Sequence, residues 1–446
     1  MNKTPALIAC LAALVCISVH ARADYPKFAA WARERVEPVR IAGVASEADL
    51  ETLRRMIGDA DVVSFGEGLH GSVEPLEFRN LLFRLLVEEM GFTAIALESG
   101  ITESFPLDDY VLGGPGDPGA LAKQGITSGL GAFPQQAELL RWMHEFNLGV
   151  GDARKIHFYG MDISGFPGEP GAPLDTALAY LDHVDPKLSD SVRRRLGPSL
   201  PKLKIDRFSR LPDHYGQLTQ EQRDQGTATV ADLIVEFETN EAAYIAASSE
   251  RKYESAYRAA IAARQVDDYL RRIPVGWSAK DGVLATVGTI AVADRAKMDN
   301  IQWIRDQQPG RGKILLFAHL GHVATTDVSV QLPGEAPLQL PPLVGPYLHR
   351  RYHEKLVTIG HFYSRDLTPC DEAREAAEPG SLEGTLAEFG LPAFVLDLRG
   401  APLPVAAELA PALNLFGQRP VHSLSVGEGV DLILYTETAS RALPCK

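Results

Sequence analysis

The chain has 446 residues, 45% hydrophobic and 23% charged, which excludes a disordered, fibrous or membrane-spanning class and leaves room for one large α/β domain or two smaller ones. A formal net charge of −14 argues against nucleic acid or an anionic membrane as partner, because no basic excess exists to neutralise phosphates. A small-molecule substrate fits that charge better.

The first element in chain order is a leader. Lys3 precedes an apolar run from Ala6 to Val19, and Ala21-Arg22-Ala23 ahead of Asp24 has the small-residue form of a cleavage site, so residues 1–23 read as a secretory signal peptide. The run is shorter than the roughly 20 residues of a membrane span, and no second one follows. The expectation is a periplasmic or secreted protein, 24–446, with no membrane attachment after cleavage. Losing Lys3 and Arg22 makes the charge more negative still. Cys10 and Cys16 leave with the leader; Cys370 and Cys445 remain, either bridged or as two thiols.

Short β-rich apolar runs follow at Asp61–Phe65, Thr93–Leu97, Lys155–Tyr159, Lys313–Phe317, Leu356–Gly360, Ala393–Leu396 and Asp431–Tyr435, separated by helical stretches. This alternation predicts an α/β fold with a mainly parallel central sheet flanked by helices. The polar stretch from about Thr176 to Trp303, with patches such as Tyr253–Tyr257 and Ala259–Leu270, reads as a helical insertion or lid. Proline and glycine mark loops at Gly113–Gly119, Gly165–Pro173 and Leu332–Pro346, the last long enough to be a substrate-facing flap.

In open α/β sheets ligands sit beyond the carboxyl ends of the strands, so the residues that follow each run carry the argument. Glu67 and His70 follow the first, Glu98 the second, Asp162 the third, and His319 and His322 the fourth; His361 and Asp397 repeat the pattern later. One such carboxylate is ordinarily a turn former or helix cap. Several, accompanied by histidines, suit a general-base site, because a histidine oriented by a carboxylate can take a proton from water near neutral pH. Gly66, Gly68 and Gly71 allow a sharp turn and a close approach to ligand. Ser72 then reads as the cap of a helix from Val73 to Met90, with Glu74 in its first turn and Leu81, Leu82, Leu85 and Leu86 on its buried face. Arg79 either meets a substrate oxygen or developing oxyanion, or pairs with Glu74 or Glu77.

Four segments together resemble the erythromycin esterase family: Gly66-Glu67-Gly68-Leu69-His70-Gly71 with Glu74 and Arg79, Ala96-Leu97-Glu98-Ser99, Phe317-Ala318-His319-Leu320-Gly321-His322-Val323, and Val430–Tyr435. They span roughly Asp61 to Pro444. The resemblance implies hydrolysis of an ester, in namesake members the lactone of a macrolide antibiotic, and with it a role in antibiotic resistance. It implies that His70 activates water, that Glu67 and Glu98 orient it, and that His319 completes the catalytic set. Arg79, Glu74 and His322 would bind substrate, and no metal or other cofactor is required. Phe317 and Leu320 stand where the family often has Trp and Asn. Ala293 and Lys297, near Asn300 and Trp303, replace a usual Arg and Met. These changes are expected to alter the cleft lining more than the inner acid–base set, which weakens macrolides as the substrate more than hydrolysis as the reaction.

Three alternatives stay in view. Glu67, His70, Glu98, His319 and His322 offer donors for a divalent metal, although His-x-x-His after a strand is not the helical pair of zinc proteases. Serine catalysis lacks its Gly-x-Ser-x-Gly turn, since Ser64, Ser72 and Ser99 sit in no such context. A non-catalytic binding or exopolysaccharide-assembly protein on the same fold has no need to gather carboxylates and imidazoles in one cleft, where they cost stability.

Overall fold

The computed structural model describes residues 25–41, 43, 46–164, 172–197, 215–272, 282–308, 310, 312–331, 337–370, 376–411, 413–414 and 421–443. The expected leader, most of the 165–173 loop, part of the 332–346 loop and Cys445 lie outside the described residues. Cys370 is disulfide-bonded.

Among the described residues twelve strands build two sheets: β1 (Glu37–Pro38), β2 (Val62–Glu67), β3 (Phe92–Gly100), β4 (His157–Asp162), β5 (Lys313–His319), β6 (Val328–Gln331), β7 (Leu338–Gln339), β8 (Leu356–Leu367), β9 (Ala393–Asp397), β10 (Leu413–Asn414), β11 (Val421–Leu424) and β12 (Leu432–Ser440). The larger sheet has the order β1-β9-β12-β8-β2-β5-β3-β4. From β12 to β4 every neighbouring pair is parallel, and β9 and β1 close one edge with antiparallel pairs. The expected mainly parallel sheet is present, and every predicted run overlaps a strand; three strands start later than their runs, β2 at Val62, β4 at His157 and β12 at Leu432.

The sheet is covered on both faces because side chains alternate with a period of two. Val63, Phe65, Ile95, Leu97, Leu315 and Phe317 pack on one side against the helices Val73–Met90 and Pro134–Leu148. Val62, Ala94, Ala96, Ile314 and Leu316 pack on the other against Met298, Ile301 and Ile304 of the helix Gly282–Asp306. Between β4 and β5 the chain forms five described helices, Ala172–Val184, Pro186–Leu196, Gln220–Ala247, Glu250–Leu270 and Gly282–Asp306. The first four share an apolar cluster of their own, which includes Leu178, Leu233, Phe237 and Tyr253.

The smaller sheet, β10-β11-β6-β7, is antiparallel and has no counterpart among the sequence expectations. Its strands are two to four residues long, below the length at which alternation is readable. The proposed flap at 332–346 is corrected in part: β7 pairs Leu338 and Gln339 with β6, and a helix, Val344–Tyr352, starts before the stretch ends.

The turn after β2 positions the site. At Gly66 a Cβ would stand 2.7 Å from Leu320 Cα and 2.8 Å from the Val323 side chain, so only glycine lets the short helix Leu320–Val323 rest on the strand. Gly71 has φ +79°, a left-handed conformation that turns the chain into the helix Val73–Met90. That helix occupies the expected span with Leu81, Leu82, Leu85 and Leu86 buried. Ser72 stands at its N-cap position, but the hydroxyl donates back to the Leu69 carbonyl at 2.8 Å instead of accepting from the helix. Gly66→Ala is expected to lower stability by about 1–3 kcal/mol through overpacking against backbone that cannot give way, measured by denaturant unfolding.

Candidate active site

Register brings the site together. Glu67 ends β2 directly beside His319, the last residue of β5, and β3 flanks β5 on its other side, so Glu98 reaches the same cleft. His70 Nδ1 lies 2.6 Å from Glu67 Oε1, and the His70 and His319 rings stand 5.1 Å apart between centroids. Glu98 Oε2 accepts from the His319 backbone N–H at 2.8 Å, while its Oε1 lies 3.2 Å from His322 Nε2. All five residues that the sequence groups as acid–base candidates or neighbours are therefore in one place.

Their electrostatics divide them into two kinds. Burial pulls the His322 pKa down, but Asp294, whose Oδ1 is 3.0 Å from Nδ1, and Glu98 outweigh it and hold the ring at about 10. Both nitrogens thus face carboxylates, and the imidazolium is locked. Burial raises the Glu98 carboxyl, yet His322, His70 and Lys297 hold it well below the usual range. His70 differs because its side chain is 42% exposed. Burial lowers its pKa, and Glu67 and Glu98 raise it to about 9, an upward direction that water at the exposed edge screens.

His319 supplies a directed donor. Its Nδ1 accepts the Gly321 N–H at 3.2 Å, which leaves the ring proton on Nε2. Glu67 Oε2 is buried without a protein hydrogen bond among the described residues, and Glu67 and Glu98 share a small pocket with Gln136 and apolar walls that include Leu97, Phe133 and Phe317.

Arg79 resolves differently from either expectation. It is fully buried, with Nε and Nη2 on Asn80 Oδ1 at 3.1 and 2.7 Å, Nη1 on Gln136 Oε1 at 2.9 Å, and the guanidinium 4.9 Å from the Phe317 ring centroid. It supports Gln136 and Phe317, which line the pocket, from behind. Glu74 accepts from Thr438 Oγ1 at 3.0 Å and from the Ser440 N–H at 2.7 Å, so both its oxygens bind β12.

Two later candidates are corrected. Asp397 pairs in register with Leu432, the first residue of β12, because β9 runs antiparallel; it therefore lies at the opposite end of the sheet, bonded to Arg399. His361 sits within β8, not after it, fully buried with Nε2 2.9 Å from Thr436 Oγ1, and burial pushes its pKa down to about 3.

The expectation that the changes near Asn300 alter the cleft lining more than the inner acid–base set does not hold at position 297. Lys297 is 1% exposed, with Nζ 3.2 Å from Asp162 Oδ2 and 3.8 Å from Asp294 Oδ2. Asp294 and Lys297 are thus inner residues that the strand-end argument missed, because they come from a helix. The available signal was two charges, Asp294 and Lys297, interleaved with the buried stripe Ala293, Ala296, Asn300, Ile301 and Ile304. Asn300 fastens this helix to the end of β4 through the Met161 and Asp162 carbonyls at 3.0 and 3.2 Å. Among the described residues no group of three or more His, Cys, Asp and Glu is arranged to hold a metal ion.

The His322 pKa stands at about 10 against an ordinary 6.5, so the stability it contributes is fully present below pH 6.5 and is lost as pH rises through about 10. The gap in Tm between wild type and His322→Gln is therefore expected to be widest near pH 6.5 and to shrink toward pH 10. A gap independent of pH in calorimetric scans would show that His322 is not held as a cation.

The erythromycin esterase family profile matches residues 87–428, beginning beyond Glu67 and His70. An erythromycin esterase type II of Escherichia coli is 23% identical over 312 residues, 68% of this chain and 70% of that protein. Among solved structures, a Bacillus cereus protein superposes with a TM-score of 0.76 at 21% identity, covering 94% of this chain and all of that one. A succinoglycan biosynthesis protein superposes at 0.74 with 20% identity over 93% of this chain and 97% of that one. An erythromycin esterase mutant in its open conformation gives 0.66 with 17% identity over 91% and 98%. These three likenesses concern the fold. No helix of the described residues is long and apolar enough to cross a membrane. With the family profile covering most of its length and its cleft built from the strand ends, the chain belongs to the erythromycin esterase family.

Proposed function

We propose that this protein is an exported hydrolase that cleaves a carboxylic ester or lactone with water activated by His70. Family membership supports a hydrolase. The observation that carries the finer reading is the 2.6 Å contact between His70 Nδ1 and Glu67 Oε1 on a ring whose edge is open to solvent. Glu67 takes Nδ1–H, so Nε2 presents its lone pair to a water. As that water adds to the substrate carbonyl, its proton passes to Nε2 and the imidazolium is stabilised by Glu67. The proton then goes to the departing alkoxide as the acyl–oxygen bond breaks. His319 Nε2–H is the donor suited to the carbonyl oxygen as it gains charge. Arg79, fully buried, serves by holding Gln136 and Phe317, and Glu74 by tying the motif helix to β12.

His70 must be neutral to act. With its pKa raised to about 9, kcat/KM is expected to climb with pH up to that region. Glu67→Gln removes the charge that raises it, so the inflection moves down toward an ordinary imidazole while kcat falls. His70→Ala is expected to lower kcat by about 10²- to 10⁴-fold on a panel of esters and lactones. Turnover is expected to survive exhaustive chelation, since the carboxylates and imidazoles of the cleft are engaged with one another. Failure of the wild type to hydrolyse any member of the panel would favour a non-catalytic binding protein.

Export rests on the leader pattern at 1–23, and the disulfide at Cys370 supports an oxidising compartment. Mass spectrometry of the native protein is expected to find an N-terminus at Asp24; retention of residues 1–23 in a soluble cell fraction would refute export.

A further inference from the structure

The charge chain does not stop at Glu98. His322 joins Glu98 to Asp294, and Asp294 Oδ1 also accepts the Val344 backbone N–H at 3.0 Å. Lys297 follows, 3.8 Å from Asp294 and 3.2 Å from Asp162. Asp294, Lys297 and Asp162 are each at most 2% exposed. Charges this deep need opposite charges or hydrogen bonds that replace those of water. Here they alternate in sign from Glu98 to Asp162: carboxylate, imidazolium, carboxylate, ammonium, carboxylate.

We infer that Lys297 is a positioning residue: it anchors Asp294 from behind, so that His322 and Glu98 keep the doubly bonded arrangement that fixes the His319 backbone beside Glu67. Lys297 touches no reacting atom. Its place in the helix Gly282–Asp306 is set by Asn300, which clamps the helix to the last residues of β4, and the next carboxylate, Asp162, is the end of that strand. The groups that face the pair are Glu98 from β3, Asp162 from β4, Asp294 from the same helix, His322 after β5, and Tyr269 from the helix Glu250–Leu270. Without the ammonium, three carboxylates, Glu98, Asp294 and Asp162, are left with the single His322 imidazolium. Among the described residues Lys297 is the cation that ion-pairs with Asp162, and His322 acts on it from further away. Removing both Lys297 and the Asp162 charge returns the chain to its original balance.

The inference rests on the hydrolase reading for its kinetic arm only, and a thermal arm decides it independently. Lys297→Met, Asp162→Asn and the double variant are compared with wild type. The Lys297→Met Tm is expected to fall below wild type increasingly as pH rises, because the Asp162 carboxyl, already raised by burial, loses its compensating cation. The double variant is expected to remove that pH dependence. In turnover of a lactone or ester, Lys297→Met is expected to lose about 10- to 100-fold in kcat with KM changed by less than about 3-fold, and the double variant to regain most of the loss. If Lys297→Met fails to fold while the double variant folds, the charge pairing is supported. A pH-independent Tm difference, a double variant no better than the single, or one that fails to fold overturns the inference. If the wild type turns over nothing, the hydrolase reading alone fails and the Tm comparison still decides whether Lys297 anchors the chain.

Discussion

The site depends on one electrostatic constraint: the acidic and basic groups that line it inside the protein are stabilised by opposite charges placed beside them. Glu67 pairs with His70, and Glu98, His322, Asp294, Lys297 and Asp162 alternate in sign through the interior. Break the alternation at one member and the neighbours are left as buried, unpaired charges, which costs more than the pair itself contributes. That asymmetry explains why so many elements converge. β2, β3, β4, the short helix Leu320–Val323 and the helix Gly282–Asp306 each bring at least one member, so the network also ties that last helix to the carboxyl edge of the sheet.

The parallel sheet makes convergence geometrically cheap. Strands that run the same way present all their carboxyl ends at one edge, and β2, β5 and β3 are neighbours there. The same architecture demands close contact between backbones at that edge. Gly66 admits Leu320 and Val323, and Gly68 would drive a Cβ to 2.6 Å from the His361 carbonyl. Behind the cleft, Phe65 packs edge-on against Phe78 at 5.5 Å and against Phe317 at 5.3 Å, a rigid aromatic layer under the motif. The guanidinium of Arg79 completes that layer from the side.

The two ring systems of the cleft have opposite assignments because their surroundings differ. His322 is bonded at both nitrogens and only partly exposed, so it is a fixed charge and a poor proton carrier. His70 has one carboxylate and an open edge, so it can exchange a proton with water. His319 is held through its main chain by Glu98 and through its ring by Gly321, which sets its tautomer. One strand end followed by a single short helix thus supplies both His319 and His322, turned to different tasks by what each nitrogen meets.

Much of this was legible in the sequence. Strand runs and their polar ends located Glu67, His70, Glu98, His319 and His322, because period-two apolar patterning and strand-end placement are local properties of the chain. The same patterning fixed the Val73–Met90 helix and its leucine face. Strand direction was not legible: Asp397 follows an apolar run like any other, and only antiparallel pairing with β12 sends it to the far edge. Nor were the partners of Arg79 and Glu74, which lie on other elements at Gln136 and Ser440. Lys297 is the clearest case. The sequence placed it as a substitution in a helix, whereas the packing of that helix on β4 and β5 set its ammonium among Asp162 and Asp294 and within reach of His322's field. Sequence determines which residues can carry charge and which face they share locally; only tertiary structure determines which charges adjoin, because Coulomb energy depends on distance in space and not along the chain.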